Sequence, residues 1–203
     1  MEIYEVLAEN TINPSPFIQF EIWYRRHLAS GIPNPSSVSL GTAASDGTVS
    51  VRTVLLKGHG EEGFVFFTNY TSRKAMQIES NKKAALLFYW PESGRQVRIE
   101  GKTEKISGED SNEYYRSRPR ENRLSAWASQ QSSVIPGREY LENSFRYYKN
   151  KFKGHSIERP PFWGGYRIIP EWFEFWQDGR FRLHDRICYS LKNGSWITER
   201  LAP

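Results

Sequence analysis

The chain has 203 residues, a net charge of +5 and a single cysteine, Cys188. One cysteine excludes a disulfide framework and a thiolate metal cage, and His27, His59, His155 and His184 show no ligand spacing. The modest basic excess admits small phosphorylated ligands as well as nucleic acid. No run approaches the ~18 apolar residues of a membrane span and the N-terminus has no signal core, so a cytoplasmic protein without membrane contact is expected. The length suits one domain.

Residues 1–13 carry no periodic signal and are expected to be a mobile N-terminal segment; 14–203 are expected to form a single domain. Ser15 and Pro16 place a cap and a first-turn proline at a helix start. Phe17, Phe20, Tyr24 and Leu28 then recur as one stripe, and Gly31 is a stop. After a loop at Pro33-Asn34-Pro35, 38–44 and 49–56 read as a hairpin around Asp46-Gly47. Arg52 lies inside the second arm, where a charge needs a partner or an open edge. A polar loop at 58–63 leads to a strand at 64–68. Ser72 is positioned to cap a short helix at 73–79. Its first turn carries Arg73 and Lys74, cations that oppose the helix dipole unless an anion sits there.

A buried-type strand at 84–90, a turn at 91–94 and an alternating strand at 96–106 follow. Ser107 begins a helical region through Tyr114 and Tyr115, broken at Arg116-Ser117-Arg118-Pro119-Arg120 because proline disfavours helix in the residue before it. A further turn or two of helix at 122–128 precedes a polar loop, 129–133. Leu141, Phe145, Tyr148 and Phe152 define an amphipathic helix. The strands at 164–169, 172–177, 181–189 and 196–201 complete the chain, with turns at Asp178-Gly179 and Asn193-Gly194. If 181–189 is a strand, Arg182, His184 and Arg186 share one face. Seven or eight strands, mostly hairpin-linked, favour an antiparallel barrel with added helices. The glycines form neither a Rossmann fingerprint nor a P-loop.

Cations thus recur inside structured sequence, at Arg52 and Lys57, Arg73-Lys74, 116–120 and 182–186. An RNA surface would set aromatics beside them, and Tyr114, Tyr115, Trp127 and Trp176 are available, but no RNP-like or zinc-finger pattern accompanies them, so no nucleic-acid partner is expected.

The order and spacing of a set of motifs is more specific. The set comprises Arg52-Thr53-Val54-Leu55-Leu56-Lys57, Phe66-Phe67-Thr68-Asn69, Ser72-Arg73-Lys74, Arg95-Gln96-Val97, Tyr114 with Ser117-Arg118-Pro119-Arg120, and Gln131-Ser132-Ser133. It continues through Phe162-Trp163-Gly164-Gly165, Phe175-Trp176-Gln177 and Arg182-Leu183-His184-Asp185-Arg186 to the terminal Arg200-Leu201-Ala202-Pro203. From about residue 14 onward this resembles the pyridoxine/pyridoxamine 5′-phosphate oxidases. The resemblance implies a mainly β (α+β) fold, an antiparallel split β-barrel with flanking helices, binding FMN as a homodimer. The implied reaction oxidises pyridoxamine or pyridoxine 5′-phosphate to pyridoxal 5′-phosphate and reduces O2 to hydrogen peroxide. Other openings are a related split-barrel oxidase of the phenazine-pathway type acting on another ring, and a non-catalytic flavin-binding protein.

By the same resemblance, Arg52, Thr53, Val54, Leu55, Leu56 and Lys57 run along the flavin with Arg52 at its phosphate. Phe67, Thr68, Arg73 and Lys74 add FMN contacts. Gln96, Trp176 and Arg186 meet the flavin ring or ribityl chain, and Gln131 and Ser132 reach the phosphate side from across the dimer. Lys57, Tyr114, Arg118 and Asn122 hold the substrate phosphate, while Arg182, Leu183 and His184 hold the pyridine ring, Arg182 and His184 being the catalytic candidates. The family commonly has an acidic residue at Asn34 and serine at Asn122, and its Arg- and Tyr-bearing N-terminal motif is not recognisable in 1–13.

Overall fold

The computed structural model describes residues 6–31 and 34–203; Pro33 of the expected loop and the first five residues of the N-terminal segment lie outside them. Helix α1 (Pro16–Leu28) starts as its cap residues predict: the Ser15 side chain accepts the Ile18 N–H and Pro16 occupies the first turn. Its buried stripe is rotated from the expected one. Gln19, Phe20, Trp23 and Tyr24 face inward and Leu28 is exposed.

The strands are β1 (Ser37–Ala43), β2 (Val49–Leu55), β3 (Gly58–Gly60), β4 (Gly63–Asn69), β5 (Lys83–Trp90), β6 (Arg95–Lys105), β7 (Trp163–Gln177), β8 (Asp185–Lys192) and β9 (Ser195–Arg200). They form one sheet, ordered β2-β1-β5-β6-β7-β4-β3, with β8 branching from β7 and β9 pairing β8. Every ladder is antiparallel. The two ends of this path, β2 and β3, are consecutive in the chain, joined through Leu56 and Lys57, so the sheet must curl back on itself. The Lys57 N–H donates to Val65 O at the join. β7 is the shared strand: it pairs β6 along its length, β4 through its first half and β8 through its second. The sheet therefore forks there, a split antiparallel barrel.

Inside the curl α1 sets its aromatics against the sheet. The Phe20 ring lies 4.9 Å from both Phe64 and Phe88, and Trp23 lies 5.3 Å edge-on from Phe175. Each such buried side chain contributes about 1.5–3 kcal/mol relative to exposure. Helices α2 (Arg73–Asn81), α3 (Gly108–Ser117), α4 (Arg120–Ala128) and α5 (Arg138–Lys151) flank the sheet. A second, smaller core gathers Tyr115, Leu124, Ile157 and Trp163 beneath α3 to α5. Cys188 is buried on β8, and burial pushes its thiol pKa up.

Three local expectations are corrected. The polar loop at 58–63 contains a short strand, β3, because its backbone completes the β4 edge. The strands expected at 164–169 and 172–177 are one, β7, carried past Pro170 by a register shift opposite Glu100 and Gly101. Gly101 permits the close approach, since a Cβ there would stand 2.0 Å from Ile169 O. Finally, 181–184 is not strand. Pairing ends at Gln177–Asp185, and the Asp178 N–H donates to Gly94 O instead of closing a tight turn. The chain makes a 3-10 turn at Arg180–Arg182, with Phe181 and Arg182 at φ of 57° and 63°. Arg182, His184 and Arg186 therefore do not share a strand face; only Arg186 lies on β8.

Within residues 6–13, Leu7 is buried, Asn13 O accepts from Tyr189 Oη, and Arg200 donates to Glu9 and to Leu7 O.

Candidate active site

One cleft of about 830 Å³ opens between β2, β4, the start of α2, α3, α4 and the 129–132 loop. Arg52, Lys57, Arg73, Lys74 and Arg118 line it, and among the described residues no Asp or Glu does. Bare cations around one cleft repel unless an anion joins them. Arg52, Arg73, Lys74 and Ser132, far apart in sequence, all reach this cleft.

Lys74 sits deepest. Its Nζ donates to Thr68 Oγ1 (3.1 Å), Ser72 Oγ (3.3 Å) and Gln131 Oε1 (2.9 Å). Burial first, and the Arg52 charge second, hold its pKa down to about 8. Ser72 stands at the N-cap of α2, yet its side chain makes no cap bond; the hydroxyl serves Lys74 instead. The first turn of α2 thus offers its N–H groups and two cations toward one place. Arg52 is half-buried, with its guanidinium donating to Leu40 O, Thr42 Oγ1 and Ser50 Oγ. Desolvation and the neighbouring Arg73 lower its pKa. Such a donor set fits a phosphate dianion, and so fits the phosphate of FMN.

The opposite wall is aromatic. Tyr114 stacks on Phe67 at 3.9 Å between centroids, and Phe67 stacks on Trp163 at 5.4 Å. Arg118 lies over the Trp163 ring at 4.6 Å, its Nη1 buried without a hydrogen-bond partner. That orphaned donor beside Tyr114 and Lys57 marks a second point at which an acceptor is needed.

The cleft accordingly collects Arg52, Thr53, Val54, Leu55, Lys57, Phe67, Thr68, Arg73, Lys74, Gln131 and Ser132 with Tyr114 and Arg118. Gln131 and Ser132, which the resemblance places across a dimer, reach this chain's own cleft. Leu56 instead faces the core, and Asn122 is exposed on α4 without lining the cleft. Trp163, Ser125 and Ser129 line it without having been assigned a role; Trp163 stood inside a quoted motif, whereas the serines had no signal beyond their polar loop and helix.

The remaining candidates form a second group. Gln96 pairs Trp176, which pairs Arg186, across β6, β7 and β8. The His184 ring lies 4.7 Å from Trp176, and its Nδ1 lies 2.9 Å from Asp178. Arg186 grips the buried Glu174 by Nε and Nη2, each at 3.0 Å, and that carboxylate raises the Arg186 pKa. Arg182 and Leu183 are exposed on the turn beside it.

Comparison with known proteins gives this arrangement its context. Residues 25–152 match a family model described as pyridoxamine 5′-phosphate oxidase, and 163–203 match the pyridoxine 5′-phosphate oxidase C-terminal dimerisation region. A pyridoxine/pyridoxamine 5′-phosphate oxidase from Nostoc sp. is 48% identical over 200 residues, covering 98% of this chain and 94% of that protein. One from Rubrobacter xylanophilus is 48% identical over 197 residues, covering 97% and 91%. The solved PhzG from Burkholderia lata, in complex with tetrahydrophenazine-1-carboxylic acid, superposes with a TM-score of 0.91 at 28% identity, covering 98% of each chain. An FMN-binding protein from Nostoc punctiforme shares the fold, with a TM-score of 0.72 at 19% identity over 93% of this chain and 98% of that one. By sequence over nearly its whole length, and by the cleft its sheet builds, this chain belongs to the pyridoxamine 5′-phosphate oxidase family.

Proposed function

We propose that the protein is an FMN-dependent oxidase converting pyridoxamine or pyridoxine 5′-phosphate, with O2, to pyridoxal 5′-phosphate and hydrogen peroxide. The carrying observation is the cleft with five cations and, among the described residues, no carboxylate; we read it as two anion points. Arg52, Arg73, Lys74 and the α2 N-terminus form the first, for the flavin phosphate. Lys57, Tyr114 and Arg118 form the second, for the substrate phosphate. When bound, FMN supplies the redox step, taking two electrons from the substrate and passing them to dioxygen.

The residues supply position and charge. Arg118 contributes a planar fork, Lys57 a point charge and Tyr114 a hydroxyl, which together suit a dianion and fix one end of the substrate. With that end fixed, the substrate ring is held at one distance from the flavin, which converts binding into proximity. Phe67, Tyr114 and Trp163 wall off water on that side. Arg182 and His184 are the candidates for orienting the pyridine ring; they lie with Gln96, Trp176 and Arg186 in the second group, outside this cleft.

The match to the dimerisation region supports a homodimer. In our reading a second copy brings the two groups together, so that each site is completed at the subunit interface.

The test compares pyridoxine 5′-phosphate with pyridoxine, following peroxide release. Strong preference for the phosphorylated substrate is expected, because the buried Arg118 donor is otherwise left unpaired. Equal turnover of both would sink the phosphate clamp. Because the PhzG likeness extends over the whole chain, an unphosphorylated tetrahydrophenazine carboxylate is the second substrate to try; preferential turnover of it favours that reading instead.

A further inference from the structure

Behind the cleft wall, Gln77 is the hub of a buried polar cluster. It lies on α2, one turn after Arg73, and is 5% exposed. Its Oε1 accepts from Thr42 Oγ1 and Ser50 Oγ, both at 2.6 Å, and from Arg52 Nη2 at 3.5 Å. Its Nε2 donates to Thr48 O at 3.2 Å, which fixes which end of the amide faces the guanidinium. Thr42 Oγ1 in turn accepts from Arg52 Nη1 at 2.6 Å, and Ser50 Oγ accepts from Nη2 at 2.6 Å. Gln77 thereby sets both hydroxyls with their lone pairs toward Arg52. Each of these acceptors is neutral. A carboxylate of the same shape would grip Arg52 more tightly, as Glu174 grips Arg186 on the other side of the molecule, but it would also spend the charge.

We propose that Gln77 is a positioning residue for Arg52: it fixes the guanidinium at the anion site through neutral acceptors and so leaves its full charge for the flavin phosphate. This rests on the assignment of the cleft to FMN. The geometry divides two tasks usually done by one partner. Orientation comes from Gln77, Thr42 and Ser50, and charge neutralisation is left to the ligand. It also explains why a buried amide stands at that point of α2, where an apolar side chain would pack without needing four partners.

The discriminating variant is Gln77→Glu, nearly isosteric and able to keep the bonds from Thr42, Ser50 and Arg52. Flavin-free protein is titrated with FMN and with riboflavin, which lacks the phosphate, and binding is read by fluorescence quenching. FMN affinity is expected to fall about 10- to 100-fold, the scale of a lost charge-assisted contact, while riboflavin affinity stays at the wild-type value. Unchanged FMN affinity overturns the proposal, and so does an equal loss for both ligands, which would indicate general distortion. Should Gln77→Glu fail to fold, Thr42→Val removes one of the two hydroxyls that link Gln77 to Arg52, without adding charge. It is expected to weaken FMN alone by about 3- to 10-fold, and no phosphate-specific loss overturns the proposal. Arg52→Ala separates the two levels. If it weakens FMN while Gln77→Glu does not, the role of Gln77 falls and the cleft assignment stands; if it leaves FMN affinity intact, the assignment falls and takes this proposal with it.

Discussion

At the scale of single residues, the charge of Lys74 is set by its surroundings. Burial among Thr68, Ser72 and Gln131, with Arg52 adding repulsion, holds its pKa at about 8 against an ordinary 10.5. A phosphate placed on it raises that value, so in the proposed site flavin binding above pH 8 takes up a proton. FMN affinity is therefore full below about pH 8 and falls as the pH rises through the pKa of the bound state. Titrations at pH 7 and pH 9 check this, with riboflavin as the phosphate-free control; a pH-independent ratio of the two affinities would refute it. The stability sign is opposite in the flavin-free protein. The unfolded chain binds the Lys74 proton more tightly, so stability rises with pH between about 8 and 10.5. Arg118 belongs to the second of the two proposed anion points. Arg118→Ala is expected to lower kcat/KM for the phosphorylated substrate by about 10- to 150-fold, the scale of a hydrogen bond to a charged group, with FMN affinity unchanged. Loss of flavin in that variant would reassign Arg118 to the cofactor.

Elements were legible where local chemistry and tertiary demand agreed. Ser15-Pro16, Asp46-Gly47 and Asn193-Gly194 each mark a boundary the structure keeps, and β1, β2, β5 and β6 fall within a residue or two of their expected bounds. Two of the failures share a cause: a partner distant in sequence outweighed the local signal. Asp178-Gly179 is a strong turn dipeptide, yet Gly94 O, distant in sequence, captures the Asp178 N–H. No periodicity in 178–184 encodes that partner. Pro170 reads as a break, yet β7 runs through it because Gly101 on β6 yields the space. Gly101→Ala is accordingly expected to cost about 1–3 kcal/mol by overpacking against Ile169. A urea-midpoint shift on the flavin-free protein measures it, and an unshifted midpoint would show that the bulge tolerates a methyl group. The cleft was partly legible for the same reason: motifs named Arg52, Arg73, Lys74, Tyr114 and Arg118, but only the tertiary fold brings them around one cleft. Gln77 carried no signal at all, because its role depends on residues from β1 and β2.

At the scale of the whole molecule, the two groups of candidate residues stand apart within one chain. The first lines the cleft of β2, β4 and α2; the second lies across β6, β7 and β8. If a second copy completes each site, assembly and flavin retention are coupled. Sedimentation at decreasing concentration is expected to show a dimer that loses flavin as it dissociates. A monomer retaining stoichiometric FMN would rule out a site shared between subunits.

Cys188 gives the protein its own clock. It is the sole thiol in the sequence, buried on β8 between Glu174 of β7 and Glu199 of β9. A thiol reagent can reach it only when the branch of the sheet formed by β7, β8 and β9 opens. Labelling kinetics under native conditions therefore time that opening directly, without a mutation. Because β8 also carries Arg186, saturating FMN is expected to slow labelling; an unaltered rate would mean that the branch opens independently of the flavin.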